Sequence, residues 1–257
     1  MNVPVWTDSV RITRVVICEW LPGEKPEDRT GTILAKSIRE DMRHLFEVRE
    51  CATRADVLRS LAEITDEIPS KGVPILQLEA HGRFGAQGGL GAGEEFIGWS
   101  ELRSPLAGLN VATGFNLALA SVACHGLSAL FSVGETLSPA PFIACLGFVG
   151  DAFPAAIVKA LREFYTGTIR GGVTMEESAA QAQREIANTP TRVDFQNLRS
   201  LITQTLRDIR NGDWRKGVDT YGLEAAQLVV SSLLAYDLFP ENRARFGIDV
   251  RAILLGS

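Results

Sequence analysis

Two short runs end on side chains that can do covalent chemistry together. Leu76-Gln77-Leu78-Glu79-Ala80-His81-Gly82 stops on an imidazole followed by glycine, and Leu119-Ala120-Ser121-Val122-Ala123-Cys124-His125-Gly126 stops on a thiol with glycine two residues on. A thiol at its ordinary pKa of about 8.5 is only a few per cent thiolate at neutral pH, so a nucleophilic cysteine needs a base or a positive environment nearby. An imidazole supplies that base and can later return the proton to a leaving group, and the positive end of a helix expected after Gly126 is a second device for activating the thiol. The spacing predicts that Cys124 is the nucleophile and His81 the acid/base. Cys18, Cys51 and Cys145 lie inside apolar or strand-like runs and read as buried structural thiols. His44 sits in a polar stretch, and His125, next to the thiol, ranks second to His81 because neighbouring residues at a strand tip diverge.

Gly82 follows the base. A glycine there lets the backbone approach a substrate carbonyl that a Cβ would crowd, so Gly82 and the Cys124 N–H are the expected oxyanion hole. An ordinary turn glycine is the competing explanation. Glu79, two residues before His81 on a strand, could orient the imidazole, line a pocket, or be paired off inside the fold.

The elements that would hold these groups alternate. Val10 to Cys18 is a β-branched run, then Leu34, Ile38, Met42 and Leu45 recur at helical spacing, and Phe46 to Cys51 is a second strand. Thr53-Arg54-Ala55-Asp56 predicts a capping box for a helix carrying Val57, Leu58, Leu61 and Ile64. Strands over Val73–Ala80, up to Cys124, and over Pro141–Phe148 follow, with a helix near Trp99 to Leu106 between the first two. Asp151 and Pro154 open a further helix, and Thr174-Met175-Glu176-Glu177 caps another. Alternation to about residue 172 predicts an α/β fold with a mainly parallel sheet, whose site lies outside the carboxyl ends of the strands. Gly85 to Gly93 lacks the Lys-Ser/Thr ending of a phosphate loop and reads as a mobile loop beside the site. After Thr189-Pro190-Thr191 two helical patterns remain, Leu198 to Ile209 and Leu223 to Phe239; the latter packs on the sheet or docks a partner. The expected division is residues 1–190 for the catalytic-type domain and 191–257 for a helical extension.

Composition narrows the class. A net charge of −5 leaves no basic stripe, which argues against a nucleic-acid partner. No apolar run reaches the roughly 18 residues of a membrane span, and the first residues lack the basic and apolar regions of a signal peptide. Widely separated cysteines with no C-x-x-C pair point to reduced thiols, no zinc site and a cytoplasmic location.

The turn Val122-Ala123-Cys124-His125-Gly126 resembles the caspase pattern Q-A-C-[RQG]-G, which has its His about 50 residues upstream. From about Val73 to Ile186 the chain resembles the CHAT domains, which are caspase-like cysteine peptidases of the clan that includes separase and gingipains. Ile97-Gly98-Trp99-Ser100-Glu101-Leu102 matches the family's strand entering a helix, and Phe142 to Asp151 matches its strand and post-strand segment. Phe164-Tyr165-Thr166-Gly167 and Glu177-Ser178-Ala179-Ala180-Gln181-Ala182-Gln183 match two of its helices. Gly147 departs from the family, standing where it usually has Trp, so the packing beneath that loop must differ.

The resemblance implies a caspase-like three-layer αβα sandwich with added C-terminal helices, and cleavage of a protein substrate through a Cys–His dyad without cofactor or metal. It places Asp151 where separase-like relatives receive a basic P1 side chain, a match for the bidentate pairing of Arg with carboxylate; a helix N-cap is the alternative. It also implies a setting in bacterial antiviral defence, where stand-alone relatives cleave gasdermin-like pore proteins. A regulatory protein partner, a catalytically silent scaffold module, and a hydrolase of small amides or thioesters stay open.

Overall fold

The computed structural model describes residues 12–83, 88–114, 116–134, 140–170, 173–198 and 211. Its centre is a six-stranded sheet flanked by helices. The strands are β1 (Arg14–Glu19), β2 (Phe46–Glu50), β3 (Pro74–Glu79), β7 (Ala118–Val122), β8 (Ala144–Val149) and β9 (Arg192–Asn197), ordered β2-β1-β3-β7-β8-β9. All neighbours run parallel except β9, which is antiparallel to β8. From β1, second in this order, the chain turns outward to β2 and then returns past β1 to β3. In open parallel sheets ligands bind near such a reversal, outside the carboxyl ends of the strands.

Every residue of β1, β3 and β7 is buried, as expected for strands covered on both faces. One face packs Val16, Cys18, Leu76, Leu78 and Leu119 against α2 (Arg54–Lys71) and α3 (Trp99–Ala112). The other packs Val15, Ile17, Ile75, Ala120 and Leu146 against α1 (Thr30–Ser37), α4 (Pro154–Arg170) and α5 (Met175–Glu185). Both predicted capping boxes form: Thr53 with Asp56 starts α2, and Thr174 with Glu177 starts α5.

Four expectations change. The helix expected across Leu34 to Leu45 breaks at Ile38, whose ψ of 152° is extended, and resumes as a 3₁₀-helix over Glu40–Leu45. Leu34, Ile38 and Met42 are buried in one cluster, so the same apolar spacing serves two short helices. Part of the glycine-rich segment is not a mobile loop. Gly89–Ala92 is a buried strand, β5, at the centre of a small antiparallel sheet with β4 (His81–Arg83) and β6 (Glu95–Gly98). Residues 84–87 lie outside the described residues.

The boundary at residue 190 falls just ahead of β9, which completes the main sheet. This strand alternates around one buried residue, Val193, so its apolar signal is too sparse to stand out after Pro190. The helix expected after Gly126 is a 3₁₀-helix, Gly126–Gly134. The two C-terminal helical patterns lie outside the described residues apart from buried Leu198.

Candidate active site

β3 and β7 are hydrogen-bonded neighbours, with Glu79 opposite Val122 at their carboxyl ends. The chain leaves both strands in the same direction, so His81 and Cys124 emerge side by side, each two residues past a strand. Ala80 N–H still donates to the Val122 carbonyl at 3.3 Å, which carries the pairing one step beyond the ladder. His81 then enters β4 and pairs with Gly91.

Gly82 is pressed against the cysteine turn. A Cβ built on it would overlap the Cys124 carbonyl oxygen and come within 2.9 Å of the Cys124 nitrogen. No side chain fits there, so glycine is required by close approach and not merely by a turn. The cysteine turn has further clamps. His125 takes a left-handed φ of 56° and its N–H donates to the Gly150 carbonyl at 2.9 Å. Gly126 N–H donates to Ala123 at 3.0 Å, and the Trp99 indole N–H donates to the Ser128 hydroxyl at 2.9 Å.

Gly147, where the resembled family has Trp, lies directly beneath this turn. A Cβ there would stand 2.6 Å from the Leu127 Cα and 2.9 Å from the Gly126 carbonyl carbon. The backbone of the turn fills the space a large side chain would need, which is the physical account of that departure.

Cys124 is the only one of the four free cysteines that is not buried. Its Sγ accepts the Ala152 N–H at 3.5 Å, which fixes the sulfur against the segment after β8. Ala152 belongs to the segment after β8, and the next residue is fixed too: Phe153 N–H donates to the buried Thr191 hydroxyl at 3.1 Å. Thr191 leads into β9, so the unforeseen strand also braces the segment beside the thiol. Cys145 and Cys18 are poor nucleophiles. Burial pushes the Cys145 thiol up, and Cys18 is pushed up by its hydrogen bond with Cys51 and by burial.

His81 is exposed, with 68% of its side chain accessible, and its Nε2 lies 3.6 Å from Glu24 Oε1. Sequence reasoning missed Glu24, because the loop between β1 and α1 carries no motif. Its only advance signal is that a parallel sheet brings the end of β1 next to the end of β3.

Glu79 is buried and, among the described residues, its carboxyl bonds elsewhere than His81, accepting from the Gly31 N–H at 3.0 Å and the Gln77 side chain at 2.9 Å. Of the roles open to it, being paired off inside the fold is the one it occupies. Glu19, directly across the ladder and also buried, accepts from the Thr32 N–H and hydroxyl. Burial, and then the charge of Glu19, push the Glu79 carboxyl up to about 8. The start of α1 therefore receives both carboxyl groups with its own N–H donors.

Asp151 is exposed in the segment carrying Ala152, close in sequence to the thiol's hydrogen-bond donor. It is not an N-cap, because α4 starts at Pro154 and the preceding residue is Phe153. Its carboxylate makes no hydrogen bond or ion pair among the described residues. Val149 and Phe153, 42% and 52% exposed, flank it with apolar surface.

Among the described residues no cluster of His, Cys, Asp and Glu could hold a metal, and no helix is long and apolar enough to cross a membrane. Comparison with protein-family models and with curated proteins finds no match, so the functional reading rests on the fold and on this geometry.

Proposed function

We propose that this chain is a cysteine endopeptidase of the CHAT, caspase-like type, and that its α/β sheet is the caspase-like αβα sandwich. The observation that carries this reading is the contact of the His81-Gly82 turn with the Cys124 backbone at adjacent strand ends. Cys124 attacks the scissile carbonyl, forming a C–S bond, and His81 carries the thiol proton to the leaving amine. Gly82 and Cys124 supply N–H groups to the oxyanion, water hydrolyses the thioester, and the thiol is regenerated. The Ala152 N–H holds Sγ in place at the strand end. The exposed carboxylate of Asp151, unpaired among the described residues, suits a basic P1 side chain, and the substrate is a protein. A pore-forming substrate in a cytoplasmic defence system, and a regulatory partner, belong to the same proposal.

One observation favours a silent scaffold as the second reading: among the described residues the thiol is hydrogen-bonded to the Ala152 N–H and not to His81. A fluorogenic peptide library separates the two. Cleavage by the wild type that is lost in both Cys124→Ala and His81→Ala supports the peptidase. No cleavage together with no labelling of Cys124 by a peptidyl acyloxymethyl ketone supports the scaffold.

A further inference from the structure

We propose that Glu24 is the positioning residue of the site, the third member of a Cys124–His81–Glu24 relay in which its carboxylate fixes the tautomer of the imidazole. The inference rests on the reading of Cys124 and His81 as a dyad. Its structural basis is the pairing of Glu24 Oε1 with Nε2 at 3.6 Å. That separation is within ion-pair range and slightly longer than a direct hydrogen bond; catalytic contacts of this kind shorten when substrate closes the site. A carboxylate at Nε2 keeps the ring proton on that nitrogen, which leaves Nδ1 as the acceptor for the thiol proton. When the ring becomes cationic during proton transfer, the same carboxylate stabilises it.

A surface glutamate on a free loop would do none of this reliably, but this loop is anchored at both ends. Trp20 and Leu21 are buried, and Trp20 N–H donates to the Glu79 carbonyl at 2.7 Å. Glu24 N–H donates to the Leu21 carbonyl at 3.1 Å. Arg29, whose side chain is only 13% exposed, donates from Nε to the Glu24 carbonyl at 3.0 Å and from Nη1 to Glu50 Oε2 at 2.8 Å. Arg29 thus ties the backbone of Glu24 to the end of β2. These contacts fix the backbone of Glu24, so only the side-chain part of the ordering entropy that opposes an exposed ion pair remains.

The charged or titratable groups on the elements around His81 are Glu24, Lys25, Glu27, Asp28 and Arg29 on the loop, Glu79 at the end of β3, Arg83 on β4, and Cys124 and His125 on the β7 turn; of these, Glu24 is the one in ion-pair range of the imidazole. β5, Gly89–Ala92, contributes none. Arg83 is drawn aside, with its guanidinium 4.9 Å from the centre of the Phe96 ring. Glu24 is therefore the carboxylate within reach of the imidazole.

The test uses the full chain and two readouts. Long-range ¹H–¹⁵N spectra, assigned with single His→Gln variants at His44, His81 and His125, report the tautomer of neutral His81. The second-order rate of Cys124 alkylation by iodoacetamide at neutral pH reports the competence of the pair. The expected results are an almost pure Nε2–H tautomer in the wild type and, in Glu24→Ala, a shift toward the Nε2–H/Nδ1–H mixture of a free imidazole. Alkylation should slow about 3- to 10-fold in Glu24→Ala, the size of one charge pair near water, and largely recover in Glu24→Asp. An Nδ1–H tautomer in the wild type, or equal rates in wild type and Glu24→Ala, overturns the proposal. A loss that Glu24→Asp does not restore marks a loop-packing role and overturns it as well. His81→Ala is the separating control: slower alkylation there keeps the dyad reading whatever Glu24 does. An unchanged rate in His81→Ala removes the dyad itself.

Discussion

Gly82 and Cys124 are in backbone contact: the space in which a Cβ of residue 82 would sit is occupied by the Cys124 carbonyl group. The hairpin that carries the imidazole and the turn that carries the thiol are therefore one packed unit. The first prediction follows from this contact. Gly82→Ala must push the two apart, at a cost of about 1–3 kcal/mol typical of overpacking. Thermal unfolding should show a drop of several degrees, and peptide cleavage should fall to background. A Gly82→Ala protein with wild-type melting temperature and cleavage would show that the contact is looser than described.

Only Cys124 combines accessibility with a donor on its sulfur. Native protein treated with limiting iodoacetamide should be modified there first, with Cys18, Cys51 and Cys145 reacting only in denaturant. Peptide mass mapping of the two samples checks this. Cys51 is the competitor to watch, because the hydrogen bond from Cys18 lowers its pKa although it is buried; equal native labelling of Cys51 would remove the selectivity.

Asp151→Asn should lower kcat/KM for substrates with Arg or Lys at P1 about 10-fold or more, while substrates with apolar P1 change little. The melting temperature should stay within the narrow range of a neutral surface substitution, since the carboxylate caps no helix and pairs with no described group. A stability loss without a change in P1 preference would assign Asp151 a structural role instead.

Glu79 makes stability depend on pH in a direction that is unusual for a carboxyl group. Its folded-state pKa is raised from 4.5 to about 8, so the folded protein holds a proton that the unfolded chain releases. Stability is then highest below pH 4.5 as far as this group is concerned, declines as pH rises, and levels off above about 8. The decline is on the order of a few kcal/mol. Glu79→Gln, which keeps a hydrogen-bonding group of the same shape, should flatten that slope and raise stability at alkaline pH. Urea titrations from pH 5 to 9 read it directly, and parallel slopes in the two proteins would refute the assignment. Glu67 acts oppositely: although burial opposes it, Arg14, Lys71 and Arg49 hold its carboxyl down to about 2, so its contribution disappears as pH falls from 4.5 toward 2.

By itself the sequence determined the parallel α/β core, both capping boxes, and the placement of His81 and Cys124 at strand ends. Those features are local: β-branched runs, Ser/Thr-to-acid spacing, and reactive residues followed by glycine. Three things were decided only in three dimensions. Glu79 was assigned to the interior because the start of α1 packs over the end of β3 and donates to its carboxyl, and Glu24 to the imidazole because only the β1–β3 pairing brings a distant loop to His81. β9 became part of the sheet because β8 had an open edge that its backbone could pair, a demand that sparse apolar patterning does not announce. Gly147 proved to be a packing requirement because the turn after Cys124 crosses directly above it, and which backbone crosses a glycine is set by tertiary contact rather than by the residues on either side.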